Sequence, residues 1–105
     1  MAALDDALAL SQTWEVPHAS AVVVTAEGTT AASAGDQDRV YRLASVTKLL
    51  SAYATLVAVE EGALALDQPA GPPGSTVAHL LAHTAGYDFS TPTLRAEPGE
   101  RRLYS

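Results

Sequence analysis

The run Ser45-Val46-Thr47-Lys48-Leu49-Leu50-Ser51-Ala52-Tyr53-Ala54-Thr55-Leu56-Val57-Ala58-Val59 is apolar or small on nearly every helical face. A helix of that kind is normally covered all round, so whatever this chain folds into has to place other surfaces against it. Inside the run stands Lys48, the only lysine in the sequence, with no other charged residue between Arg42 and Glu60. A buried ammonium is costly unless it is paired, so burial would push this amine toward its neutral form. Three residues earlier, where the helix is expected to begin, is Ser45. Residues at i and i+3 share a helix face, with Cβ atoms about 5–6 Å apart. A hydroxyl at a helix start beside a neutralised lysine is the arrangement of an activated serine nucleophile. The competing reading makes Ser45 a helix cap and Lys48 a surface residue reaching water along its stem. Ser-x-x-Lys alone has little specificity, but a surface helix would carry further charges, and this one does not.

Composition narrows the classes. The chain has 105 residues, no cysteine and a formal net charge of −6. That length permits one small, marginally stable domain. Phosphate binding needs a basic patch, and the adjacent pair Arg101-Arg102 is too little, so no nucleic-acid partner is expected. Disulfides and thiolate metal sites are excluded. The start, Met1-Ala2-Ala3-Leu4-Asp5-Asp6, has neither the basic segment nor the apolar core of a secretory signal. The apolar run is too short for a membrane span. These points give a cytoplasmic location without membrane association as the expectation.

Along the chain, residues 3–14 have a helical pattern with Asp5 and Asp6 in the first turn, closed by Pro17. Trp14 is expected to anchor this helix on a sheet. His18 to Ala26, around Val22-Val23-Val24, reads as a strand, Glu27-Gly28 as a turn and Thr29 to Ala34 as the return strand of a hairpin. Asp36-Gln37-Asp38 is a polar loop. The nucleophile helix ends at Gly62 in the left-handed position after its last turn. Ala70-Gly71-Pro72-Pro73-Gly74 is a break, after which Ser75 or Thr76 caps a short helix to about His83. Residues 87–103 read as loop. A lone hairpin is marginal in water, so this inventory does not close into a complete sheet.

Four segments, in order, carry a family resemblance. Tyr41-Arg42-Leu43-Ala44-Ser45-Val46-Thr47-Lys48 resembles the nucleophile segment of the serine beta-lactamase and penicillin-binding-protein superfamily, in the branch of class C beta-lactamases, D-alanyl-D-alanine carboxypeptidases and family VIII esterases. Glu60-Glu61-Gly62-Ala63-Leu64-Ala65-Leu66-Asp67-Gln68-Pro69 resembles the continuation of that helix. Thr76 to Tyr87, with His83-Thr84-Ala85-Gly86, is similar to the branch's T-[IV]-x-x-L-L-x-H-T-S-G segment. Pro98-Gly99 followed by Tyr104-Ser105 resembles the approach to the second catalytic box, Tyr-x-Asn.

The resemblance implies an α/β (α+β) fold of beta-lactamase/transpeptidase type, an antiparallel sheet flanked by helices. Residues 1–105 would be a single partial domain of it: 1–62 with the N-terminal helix, hairpin and nucleophile helix, and 63–105 opening the helical region. The later strands, the asparagine of the second box and the third box, Lys-Thr-Gly or His-x-Gly, have no counterpart in this sequence. The chain therefore reads as the N-terminal portion of a larger enzyme, inactive alone, with a C-terminal half as its missing partner. In the implied chemistry Ser45 is the nucleophile, its own N–H gives half of an oxyanion hole, Lys48 accepts its proton, and Tyr104 is a second base or relay. A free tyrosine titrates near 10, so that role needs a cationic neighbour, and Lys48 is the candidate.

No metal or cofactor is implied. His79 and His83 have the i, i+4 spacing of metal ligands, but the glutamate of His-Glu-x-x-His is missing; they are read as structural, His83 packing or hydrogen-bonding behind the wall of the site. Arg42 and Asp67 are read as salt-bridge or turn residues, and Ala85 departs from the family's serine. The expected substrate is a small molecule with an acyl group, an ester, β-lactam or D-alanyl amide, with esters favoured because no export signal is visible. Two alternatives compete: a non-catalytic interaction module that binds through the apolar helix and sheet edge, and one half of a split enzyme.

Overall fold

The computed structural model describes residues 2–105, which form two compact units, 2–42 and 43–105. The first begins with helix α1 (Ala2–Ala9), continued by a 3-10 turn over Leu10–Thr13. Strands β1 (Ala21–Val24) and β2 (Thr30–Ala34) form an antiparallel hairpin, Ala21 opposite Ala34 and Val24 opposite Thr30, with a bulge after Val23. Both strands are shorter than the apolar pattern suggested. The turn closes through Thr25 N–H to the Thr29 carbonyl and Gly28 N–H to the Thr25 carbonyl. Helix α1 lies along β2, where Ala32 is buried. Ser11 is also buried, its hydroxyl donating to the Leu8 carbonyl, while the Gln12 amide donates to the Ala19 carbonyl. Trp14 does not anchor the helix as expected. It falls in the extended residue after the 3-10 turn, where its ring is mostly exposed.

The second unit opens with a 3-10 turn, Ala44–Val46, that runs into helix α2 (Thr47–Glu60). The helix ends as its sequence predicts. Gly62 adopts φ +79, its N–H bonds the Val59 carbonyl, and the Ala63 N–H bonds the Ala58 carbonyl. Those two bonds satisfy carbonyls that a helix end otherwise leaves unpaired. Burial, by contrast, is not as expected, because α2 has no buried residue. Apolar character over a whole helix does not by itself bury it: Ala52, Thr55, Ala58 and Val59 are partly covered, and the other residues of α2 are exposed.

Helix α3 (Val77–Leu81) has one turn and a half, and its ends are tied down. The Val77 N–H bonds the Gln68 carbonyl and the Ala78 N–H bonds the Leu66 carbonyl. Thr76 is the cap: its hydroxyl accepts from the His79 N–H, and His79 Nδ1 accepts from the Thr76 N–H at 3.1 Å. This is a reciprocal capping arrangement with histidine in the place usually taken by glutamate or glutamine. Ser75, only 2% exposed, donates its hydroxyl to the Ala70 and Pro72 carbonyls and holds the Pro-Pro-Gly turn closed. Residues 87–103, read as loop from sequence, are an excursion that returns along 83–88. Arg95 N–H bonds the Gly86 carbonyl, Gly99 N–H the Thr84 carbonyl and Leu103 N–H the His83 carbonyl, and Tyr87 and Leu94 form an isolated bridge. Gly86 is at φ +100, and any Cβ there would collide with the Ala96 carbonyl oxygen. Ala85, 4% exposed, lies where a serine hydroxyl would need a partner. Among the described residues, no helix is long and apolar enough to cross a membrane.

Candidate active site

Ser45 and Lys48 meet through local geometry. Ser45 sits in the middle of the 3-10 turn that begins α2, and Lys48 follows one turn later. The Lys48 ammonium donates to Ser45 Oγ at 3.2 Å. Immediately before the serine, Ala44 lies at φ +48, in the left-handed region. An L-residue there carries strain of about 1–2 kcal/mol, and such outliers concentrate at functional sites. The burial argument for Lys48 does not hold: the residue is exposed, as is most of α2.

The third expected residue arrives from far along the chain. Tyr104, 39% exposed, brings its ring to 4.8 Å from Lys48 Nζ, within the range of a cation–π contact. Its phenol is held below the ordinary tyrosine range. Hydrogen bonding with the Ser45 side chain is the largest cause, then hydrogen bonding with Lys48; desolvation opposes the shift and the Lys48 charge adds to it. Ser45, Lys48 and Tyr104 are thus gathered in one place, where ionisation of the Tyr104 phenol is easier than for a free tyrosine.

Two residues around Tyr104 were not assigned to it from sequence. The Phe89 ring stacks on it at 5.7 Å between centroids and the His83 imidazole at 4.8 Å. Phe89 also borders a cavity of about 260 Å³ lined by Tyr87, Asp88, Thr91, Pro92 and Ser105. No sequence signal marks Phe89, because the excursion that carries it returns through bonds between distant backbone groups. His79 and His83 do not act as an i, i+4 pair: His79 faces Thr76 in the cap, and His83 lies beyond the end of α3 at φ +58. The threonine three residues before His79 is the signal for its capping role.

This geometry meets an independent line of evidence. The family model described as Beta-lactamase matches residues 9–105. The chain belongs to the beta-lactamase family. A solved crystal structure of a beta-lactamase from Mycobacterium bovis is 55% identical and superposes with a TM-score of 0.78, covering 94% of this chain and 36% of that one. The chain therefore spans about a third of the length of that structure. No curated protein matches it. The helices and two-stranded antiparallel sheet described above are accordingly part of a beta-lactamase fold, the mixed α/β class expected from sequence and its N-terminal portion.

Proposed function

We propose that this chain supplies the nucleophile half of a serine hydrolase that transfers an acyl group to water through an ester on Ser45. The observation that carries the proposal is the convergence of Ser45, Lys48 and Tyr104, with the phenol shifted toward ionisation by the other two. We assign the proton-accepting role to Tyr104 in its ionised form, which the neighbouring Lys48 charge favours. The Ser45 hydroxyl gives its proton to Tyr104 as Oγ bonds the acyl carbon. The leaving group departs with that proton, and the acyl-serine ester remains. Water then attacks the ester carbonyl, giving its proton to Tyr104, and Ser45 is released with the proton returned to Oγ. The Ser45 backbone N–H, at the start of a helix, is placed to favour the negative charge on the tetrahedral oxygen.

Family membership and the trio support acyl chemistry of this class; the choice of substrate is ours. We take carboxylic esters as the preferred class and a β-lactam or D-alanyl amide as the alternatives. The test is intact-mass detection of an adduct after exposure to a fluorophosphonate, with Ser45→Ala as control. One covalent adduct, lost in the control, is expected. An adduct that persists in the control refutes Ser45 as nucleophile. A folded chain that takes no label favours the interaction-module reading, or a requirement for a second polypeptide.

A further inference from the structure

We propose that His83 is a positioning residue for Tyr104, a role that rests on the acyl-transfer reading above. Three contacts carry it. The imidazole stacks on the Tyr104 ring at 4.8 Å with 28° between the planes. The His83 carbonyl accepts from the Leu103 N–H at 2.7 Å. His83 Nδ1 accepts from the Ser105 N–H at 3.4 Å, the weakest of the three. One residue thus holds the phenol ring and the backbone on both sides of it.

The backbone of His83 gives the independent reason to see a function here. Helix α3 ends with the same pair of bonds as α2: the His83 N–H to the Leu80 carbonyl and the Thr84 N–H to the His79 carbonyl. In α2 the left-handed residue is Gly62, which adopts that conformation freely. In α3 it is a histidine at φ +58, where the turn alone would favour glycine or asparagine. The side chain makes contacts that glycine cannot, and what it touches is the Tyr104 segment. The accepting role of Nδ1 also fixes the tautomer, since a neutral ring must then carry its proton on Nε2.

The phenol is useful to Ser45 only while it lies beside Ser45 and Lys48. A shift of about 1 Å can cost on the order of 100-fold in rate. His83 is therefore a residue whose loss would leave Ser45 and Lys48 intact and move only the base.

The test uses the full chain with His83→Gly, which relaxes the turn but deletes the ring and acceptor, and His83→Asn, which tolerates the left-handed backbone and keeps an acceptor oxygen. Two quantities are read: the pH midpoint of Tyr104 ionisation, taken as the difference from Tyr104→Phe, and the rate of fluorophosphonate labelling of Ser45. In His83→Gly the midpoint rises toward that of an ordinary phenol and labelling slows by about 10- to 100-fold, with a smaller change in His83→Asn. A midpoint unchanged in a folded His83→Gly chain overturns the proposal, whatever the labelling rate. If neither variant folds, NMR on the unmodified chain decides: ring-to-ring NOEs between His83 and Tyr104 support the contact, and their absence overturns it. Labelling that fails while the midpoint still follows His83 refutes the acyl-transfer reading and leaves the positioning role standing. Normal labelling with a midpoint indifferent to His83 does the reverse.

Discussion

Helices α2 and α3 close in the same way and depend on different things. After α2, Gly62 takes the left-handed position with nothing within 4 Å of where a Cβ would stand. After α3 the position belongs to His83, whose ring and backbone reach Tyr104 and its neighbours. The longer helix has no buried residue and closes on its glycine. The shorter one has Val77 in the core, carbonyls of Leu66 and Gln68 on its first N–H groups and a reciprocal cap. Isolated helices of fewer than about 12–15 residues are marginal in water, so α3 exists because its surroundings require it. Ser45 and Lys48 lie at the start of the longer, exposed helix, and Tyr104 is delivered by the segment tied to the shorter, anchored one.

The largest expected effect is at α3. Val77→Asp puts an unpaired carboxylate where the side chain is buried, and a loss of about 3 kcal/mol or more is expected in urea melts. A loss under about 1 kcal/mol would mean that α3 is no more anchored than α2, and the contrast would fail.

Next is the point where the two supports meet. Since Lys48 lowers the Tyr104 midpoint, Lys48→Met should raise it toward the ordinary phenol value. The sign follows from charge: the cation favours the phenolate, so its removal makes the proton harder to lose. Any activity that needs the phenolate should then begin its rise at higher pH than in the parent chain. A midpoint that stays or falls in Lys48→Met, by spectroscopic titration against Tyr104→Phe, would detach Lys48 from Tyr104.

Gly62→Ala isolates the turn itself. With space for a Cβ, only the conformational cost remains, about 1 kcal/mol. A loss of several kcal/mol would show that Gly62, like His83, is held by more than its backbone. The smallest effect is at Leu49, 69% exposed on α2. Leu49→Ala should move stability by no more than about 0.5 kcal/mol. The 2–5 kcal/mol typical of a buried leucine would mean that the helix face is covered in solution, and analytical ultracentrifugation of the parent chain would then show whether a second copy covers it.

The same division separates what could be read in the sequence from what could not. Ser45 and Lys48 lie within one turn of each other, so their spacing contains their geometry, and Gly62 ends α2 for a reason local to its backbone. The hairpin was legible from Val22-Val23-Val24, although the bulge after Val23 shortened its pairing. Tyr104 was reachable only through the order of family segments, because no local rule places residue 104 beside residue 48. His83 was misleading in its spacing: i, i+4 presumes a continuing helix, and α3 stops at Leu81. The expectations for Lys48 and Trp14 failed together. Both inferred burial from apolar character, of the helix around Lys48 and of the Trp14 side chain, whereas burial depends on what packs against it.

Ala44, the strained residue ahead of Ser45, separates two quantities that usually travel together. Its φ of +48 would suit glycine, and Ala44→Gly would recover about 1–2 kcal/mol of strain. The same change enlarges the freedom of the unfolded chain, at about 0.5–1 kcal/mol, so the two effects partly cancel in a thermal melt. The peptide ahead of Ser45 would also be freer, because the methyl group that restricts it would be gone. Ala44 is thus a position where heat resistance and the reactivity proposed for Ser45 answer to different parts of one change, and a melt alone reports only the first.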